Sequence, residues 1–160
     1  MTRYFDASAL VKRYVRETGS AMVRRMLASG IVATSRLSEV EVASGIVRRA
    51  REGAFAPARR DRALTAFQRD MPAFAIVEVI PEITADARTL LLRSPLRAND
   101  AIQLASCLYL QRQLNQPVPF VAFDQRLLDA ARAEGVAVVT KMSGRRSTME
   151  PRVARRAEPR

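Results

Sequence analysis

Apolar residues are distributed along the chain in two alternating patterns. Five short β-rich runs, residues 3–5 (RYF), 31–34 (IVAT), 75–80 (AIVEVI), 118–123 (VPFVAF) and 136–140 (VAVVT), are too short for helices and are bounded by Gly, Pro or Asn. Between them, apolar residues recur at three- and four-residue spacing, which predicts helices over roughly 7–17, 20–29, 36–52, 57–71, 82–93, 98–115 and 125–134. Strands separated by helices predict an α/β fold with a mostly parallel sheet and helices on both of its faces. Ligands of such sheets bind outside the carboxyl ends of the strands.

Composition narrows what this fold can do. The chain has 160 residues, 48% of them apolar, enough for one core in one domain. Histidine is absent, which excludes an imidazole base, a catalytic triad and the usual zinc sites. The single cysteine, Cys107, has no partner for an internal disulfide and reads as a small core residue, so a reducing cytoplasm is expected. Asp6, Lys12 and Arg13 interrupt the N-terminal region where a signal peptide would be apolar, and no apolar run reaches the roughly 18 residues of a membrane span. No membrane association is expected.

Charge adds a partner class. Twenty-seven Lys and Arg against sixteen Asp and Glu leave +11, and all but two of the cations are arginines. Arginine presents a planar fork to phosphate, so a polyanion is the natural partner. Residues 141–160 carry seven cations against two glutamates, with Gly144, Pro151 and Pro159 and no apolar periodicity. They read as a basic, mobile C-terminal tail following a domain over 1–140. Arg24 with Arg25, Arg48 with Arg49 and Arg51, and Arg59 with Arg60 and Arg62 form further clusters, but charged helix faces are usually only solvated. The aromatics lie in apolar stretches and none is interleaved in the tail, which argues against a base-stacking platform.

Against this basic background the positions of four acids stand out. Asp6 follows the first strand and Asp124 follows the VPFVAF run, so both are expected at one carboxyl edge. Asp100 lies in the first turn of the 98–115 helix, at the border of the arc formed by Ala101, Leu104 and Leu108. Glu41 shares a helix face with Leu37, Val40, Ser44 and Val47, and an inward glutamate needs a partner. Each has a plainer reading. Asp6 and Asp124 suit helix N-caps, Asp100 suits the helix dipole, and Glu41 could pair with Arg36 or Arg48. Periodicity alone also leaves Glu39, on a face with Val42 and Ile46, as an alternative to Glu41.

Clustered carboxylates without histidine either raise their pKa values or recruit a hard cation such as Mg²⁺ or Mn²⁺. A cation held in this way activates water and offsets charge on a phosphodiester, so phosphoryl chemistry needs no imidazole. Arginines would bring the polyanion to such an acidic pocket.

Four segments, YFDASALVKRYVRETGS, ATSRLSEVEVASGI, LRANDAIQLAS and FVAFDQRLLDAARAEGV, resemble in order and spacing the PIN-domain ribonucleases, and among them the VapC-type toxins of bacterial toxin–antitoxin pairs. The resemblance covers residues 2 to about 140. It implies a three-layer α/β/α sandwich and a metal-dependent endoribonuclease using Mg²⁺ or Mn²⁺. It maps the family acids onto Asp6, Glu41, Asp100 and Asp124, choosing Glu41 over Glu39, and gives Ser8 a supporting position beside Asp6. It further implies an RNA substrate, a cognate antitoxin protein that blocks the acidic pocket, and commonly a homodimer. The half-apolar second faces of the 36–52 and 57–71 helices are candidates for that contact. The departures are Asn99, where many relatives carry an aromatic, and Gln103, where they carry histidine.

Two other classes compete. A non-catalytic PIN-like module that binds RNA or a partner keeps the fold without the chemistry. A phosphotransfer or receiver domain also groups acids at strand ends, but here Asp6 is followed by Ala7 and Ser8 rather than a second acid, and Lys141 is the only echo of a receiver.

Overall fold

A computed structural model describes residues 1–140. The tail expected over 141–160 lies outside the described residues. The elements run β1 (Thr2–Phe5), α1 (Ala7–Tyr14), α2 (Ser20–Leu27), β2 (Ile31–Ser35), α3 (Ser38–Arg51), α4 (Pro57–Asp70), a short 3₁₀ turn (Met71–Ala73), β3 (Ala75–Val77), α5 (Pro81–Arg93), α6 (Ala98–Leu114), β4 (Phe120–Val121), α7 (Gln125–Ala133) and β5 (Val138–Val139).

The five strands of the described residues are all parallel, in the order β3-β2-β1-β4-β5. Period-two alternation along β1 separates the two cores. Tyr4 enters one with Ile83, Leu90, Leu104, Leu127 and Leu128 of α5, α6 and α7. Phe5 enters the other with Leu10, Val23, Val42, Ile46 and Phe67 of α1 to α4. Helices therefore cover both faces, and the molecule is a three-layer α/β/α sandwich.

Local chemistry explains where elements begin and stop. Pro57 and Pro81 occupy first-turn positions of α4 and α5, where a missing N–H costs nothing. Helix α6 ends at Asn115 in the left-handed region, φ 47°. The 118–123 run contributes only Phe120 and Val121 as strand, because Pro119 has no N–H to donate to a neighbour. The Pro119 carbonyl still accepts from the Tyr4 N–H at 2.9 Å. Likewise the 75–80 run stops at Val77, four residues before Pro81 opens α5. Expected strand 136–140 shortens to Val138–Val139.

One expectation about α3 needs correction. The face that enters the core carries Ser38, Val42 and Ile46, whereas Val40, from the stripe assigned to Glu41, is 69% exposed. Burial of Val42 and Ile46 beside Phe67 of α4 also means that the half-apolar faces considered for a second copy are largely consumed within the chain.

Candidate active site

The strand order reverses between β1 and β4, and this switch point is where a parallel sheet leaves a crevice at its carboxyl edge. The Asp6 N–H donates to the Val121 carbonyl at 3.0 Å, so the residue after β1 is pinned to the last residue of β4. Asp124 stands three residues past the end of β4, across the same crevice. Helices α3 and α6 bring Glu41 and Asp100 to it. All four acids line one cavity of about 470 Å³, together with Ser8, Ser44, Arg48, Arg97 and Asn99.

The plainer readings of three of these acids are realised at the same time. Asp6 caps α1, accepting from the Ser8 N–H on Oδ2 at 2.9 Å. Asp124 caps α7, accepting from the Leu127 N–H on Oδ1 at 3.2 Å, with Arg126 3.6 Å from its other oxygen. Asp100, in the first turn of α6, accepts from the Arg97 N–H on Oδ2 at 3.2 Å. Capping uses one oxygen of each carboxylate, and four lone-pair sites per carboxylate leave capacity on the other. The caps therefore orient these side chains while leaving acceptor sites toward the cavity.

Glu41 is held differently. Neither arginine considered from the sequence pairs with it: Arg36 is bonded to Glu78 and Glu39, and Arg48 has no acid within 4.0 Å among the described residues. Instead the Asn99 amide donates to Oε1 and the Gln103 amide to Oε2, each at 2.6 Å. These are the two departures from the family pattern. The signal that would have found them is a pair of amides one helical turn apart, flanking Asp100 on a helix whose neighbouring positions are apolar.

The electrostatics follow from this crowding. Burial pushes the Asp6 carboxyl up to about 6, the Ser8 hydroxyl and N–H pull it back, and the charges of Glu41 and Asp100 add to the rise. Asp124 goes the other way. Its partial burial is outweighed by the Leu127 N–H and Arg126, which hold its carboxyl below the ordinary value.

Ser8 does more than flank Asp6. Its hydroxyl oxygen accepts from the Phe123 N–H at 3.1 Å and so ties α1 to the turn that carries Asp124. Cys107 is fully buried in the core, where burial pushes its thiol up.

Four hard oxygen donors around one cavity, one of them titrating high because it is buried and, to a smaller extent, because its neighbours are negative, form a donor set that suits a hard divalent cation. The acids line the cavity without closing into a cage: among the described residues, no three acidic or thiol side chains are grouped as a ready-made metal site. Also among the described residues, no helix is long and apolar enough to cross a membrane.

Comparison with known proteins places this architecture. A toxin–antitoxin complex from Klebsiella pneumoniae superposes with a TM-score of 0.59 at 19% identity, over 86% of this chain and 96% of that one. FitAcB from Neisseria gonorrhoeae gives 0.62 at 16% identity over 86% and 96%. VapC20 from Mycobacterium tuberculosis, described as a sarcin–ricin loop cleaving toxin, gives 0.58 at 18% identity over 81% and 95%. No curated protein sequence matches the chain. At these identities the solved structures share its fold, whereas the PIN domain family model matches residues 3–133, from within β1 to the last residue of α7; the chain belongs to the PIN-domain family.

Proposed function

We propose that the chain is a Mg²⁺- or Mn²⁺-dependent endoribonuclease and the toxin of a toxin–antitoxin pair, with Asp6, Glu41, Asp100 and Asp124 as the residues that hold the metal. The observation that carries this reading is the meeting of four carboxylates, from four separated segments, in one cavity at the β1/β4 switch point. Family membership and the likeness to solved toxin–antitoxin proteins support it.

Asp6, Glu41, Asp100 and Asp124 would hold a hard divalent ion, which when bound would supply Lewis acidity, lowering the pKa of a water and offsetting charge on the scissile phosphodiester. The chain's own residues do the rest. Helix capping fixes the directions of Asp6, Asp100 and Asp124, and the two amides fix Glu41. One of the cavity's carboxylates would orient the attacking water and accept its proton. Arg48 and Arg97, exposed at the cavity, offer guanidinium forks to the phosphates on either side of the cut. The cognate antitoxin would cover the same cavity, and a cationic side chain is the group its acids would accept.

The test is RNA cleavage by the isolated chain. Cleavage should require Mg²⁺ or Mn²⁺ and vanish in Asp6→Asn; cleavage that persists in EDTA or in that variant would reject the site. One observation favours a second reading, a PIN-like module that binds RNA or a partner without cutting: three of the acids also serve as local helix caps, and among the described residues no cage is closed. RNA binding that is indifferent to metal, with no cleavage, is its signature.

A further inference from the structure

Gln103 is fully buried between α3, α6 and β1, and its hydrogen bonds can be followed proton by proton. The Tyr4 hydroxyl donates to its Oε1 at 2.8 Å. The Thr34 hydroxyl donates to the Phe5 carbonyl at 2.7 Å. A hydroxyl has one proton, so in the 2.7 Å contact between Thr34 and Ser38 the proton is that of Ser38. The Ser38 oxygen then accepts from Gln103 Nε2 at 2.9 Å, and the second N–H of the same amide goes to Glu41 Oε2 at 2.6 Å. Every donor in this run of hydrogen bonds has an acceptor, and the Gln103 amide has one orientation compatible with all of them. Asn99, one turn earlier on α6, supplies the other Glu41 oxygen at 2.6 Å.

Resting on the metal-site reading above, we infer that Asn99 and Gln103 are positioning residues, an amide clamp that presets the Glu41 carboxylate for a divalent cation. Each Glu41 oxygen is bound by one amide and keeps lone-pair capacity for the ion. A free glutamate would have to lose rotamer freedom on binding metal; here that freedom is already lost in the folded chain. The clamp is also registered to the strand that carries the first acid. Tyr4 and Phe5, the last residues of β1 before Asp6, hold the two ends of the network, so Glu41 on α3 is set relative to Asp6 through α6. Asn99 and Gln103 thus replace the aromatic and the histidine of many relatives with groups that donate to Glu41 at any pH.

Mn²⁺ titration of the whole chain, followed by electron paramagnetic resonance without RNA, tests this, with melting in EDTA as the control for folding. Asn99→Ala, at the half-buried start of α6, should weaken Mn²⁺ binding about tenfold, as loss of groups that orient metal ligands commonly does, and leave melting in place. In a Glu41→Gln background the same change should alter affinity less than about twofold, because the group it positions is gone. Gln103→Met should weaken binding comparably and also lower the melting temperature, since Tyr4 and Ser38 lose partners. Affinity of Asn99→Ala within twofold of the parent, or an equal loss in both backgrounds, would overturn the clamp while the metal site stands. If instead the parent fails to bind Mn²⁺, or Glu41→Gln binds it as well as the parent, the metal-site reading itself falls and takes the clamp with it.

Discussion

The Phe123 N–H donates to the Ser8 hydroxyl at 3.1 Å across 115 residues of sequence, joining the helix that Asp6 caps to the turn that delivers Asp124. Ser8 serves both acids at once: its N–H bonds Asp6, its oxygen anchors Phe123, and its hydroxyl stabilises the charged form of Asp6. Ser8→Ala should therefore have two effects. A half-buried N–H loses its acceptor, which costs about 1 kcal/mol in a denaturant melt. Loss of the hydroxyl lets the Asp6 carboxyl rise further, so the acid limb of the cleavage profile should move to higher pH. A variant that melts lower but keeps the parent's pH profile would leave Ser8 as structural only.

Asp6 itself links stability to pH. Its folded-state carboxyl sits at about 6, above the ordinary 3.8, so between those values the native state binds more protons than the unfolded chain. That contribution is present at low pH and is lost as pH rises through about 6. Asparagine caps a helix as well as aspartate does, so Asp6→Asn removes the buried charge without removing the cap. In EDTA the variant should show a flatter pH dependence and, above pH 6, exceed the parent by about 2–3 kcal/mol, the value of a two-unit shift. Added Mg²⁺ should stabilise the parent and leave the variant where it was. Denaturant melts at pH 4.5 and 7.5, with and without metal, read both effects; a variant less stable than the parent at high pH would contradict the assignment.

Sequence alone carried the order of the elements because their signals are local: two-residue and 3.6-residue periods separated by Gly and Pro. Strand ends were less legible. The apolar run 118–123 looks continuous, but Pro119 cannot donate to a neighbour, and pairing is a property of the sheet rather than of the run. Asp6 and Asp124 could be placed together because a parallel sheet sends strand ends to one edge. The environment of Glu41 could not. Apolar residues wrap more than one face of α3, so periodicity assigned Val40 to a stripe that the structure leaves in solvent. The partners of Glu41 are neutral amides 58 and 62 residues away, and nothing local to α3 points to them.

Gly19 supports the same turn from a different side. Its φ of +89° lies in the left-handed region, and a Cβ there would stand 2.6 Å from Cε1 of the Phe123 ring. That ring packs under the Lys12 ammonium, 4.3 Å from its centroid, and directly precedes Asp124. Gly53 has a similar φ, +80°, but open space around it. Gly53→Ala should cost only the backbone term of about 1 kcal/mol, whereas Gly19→Ala should cost about 2–3 kcal/mol and reduce cleavage as Phe123 is displaced. Equal losses in the two variants would mean that the ring moves aside freely.

Arg48 and Arg97 share a cavity with four carboxylates, yet neither guanidinium has an acid within 4.0 Å among the described residues, whereas those of Arg13, Arg36, Arg49, Arg60 and Arg112 are all paired. Guanidiniums left unneutralised beside an acidic site are available to a second anion, and a nucleic-acid backbone provides one on each side of the bond to be cut. Arg48→Gln and Arg97→Gln should each weaken RNA binding and lower the slope of log affinity against log salt by about 0.7, the release expected for one single-strand phosphate contact. Arg88, which lines a separate hollow on α5 with Leu91 and Leu92, is the control for net charge. If Arg88→Gln lowers the slope as much, the effect belongs to the overall +11 rather than to the site. Mn²⁺ affinity provides the opposite sign: removing a cation from the cavity should hold it constant or raise it, so a loss of metal binding would place these arginines in the metal's support rather than in the RNA path.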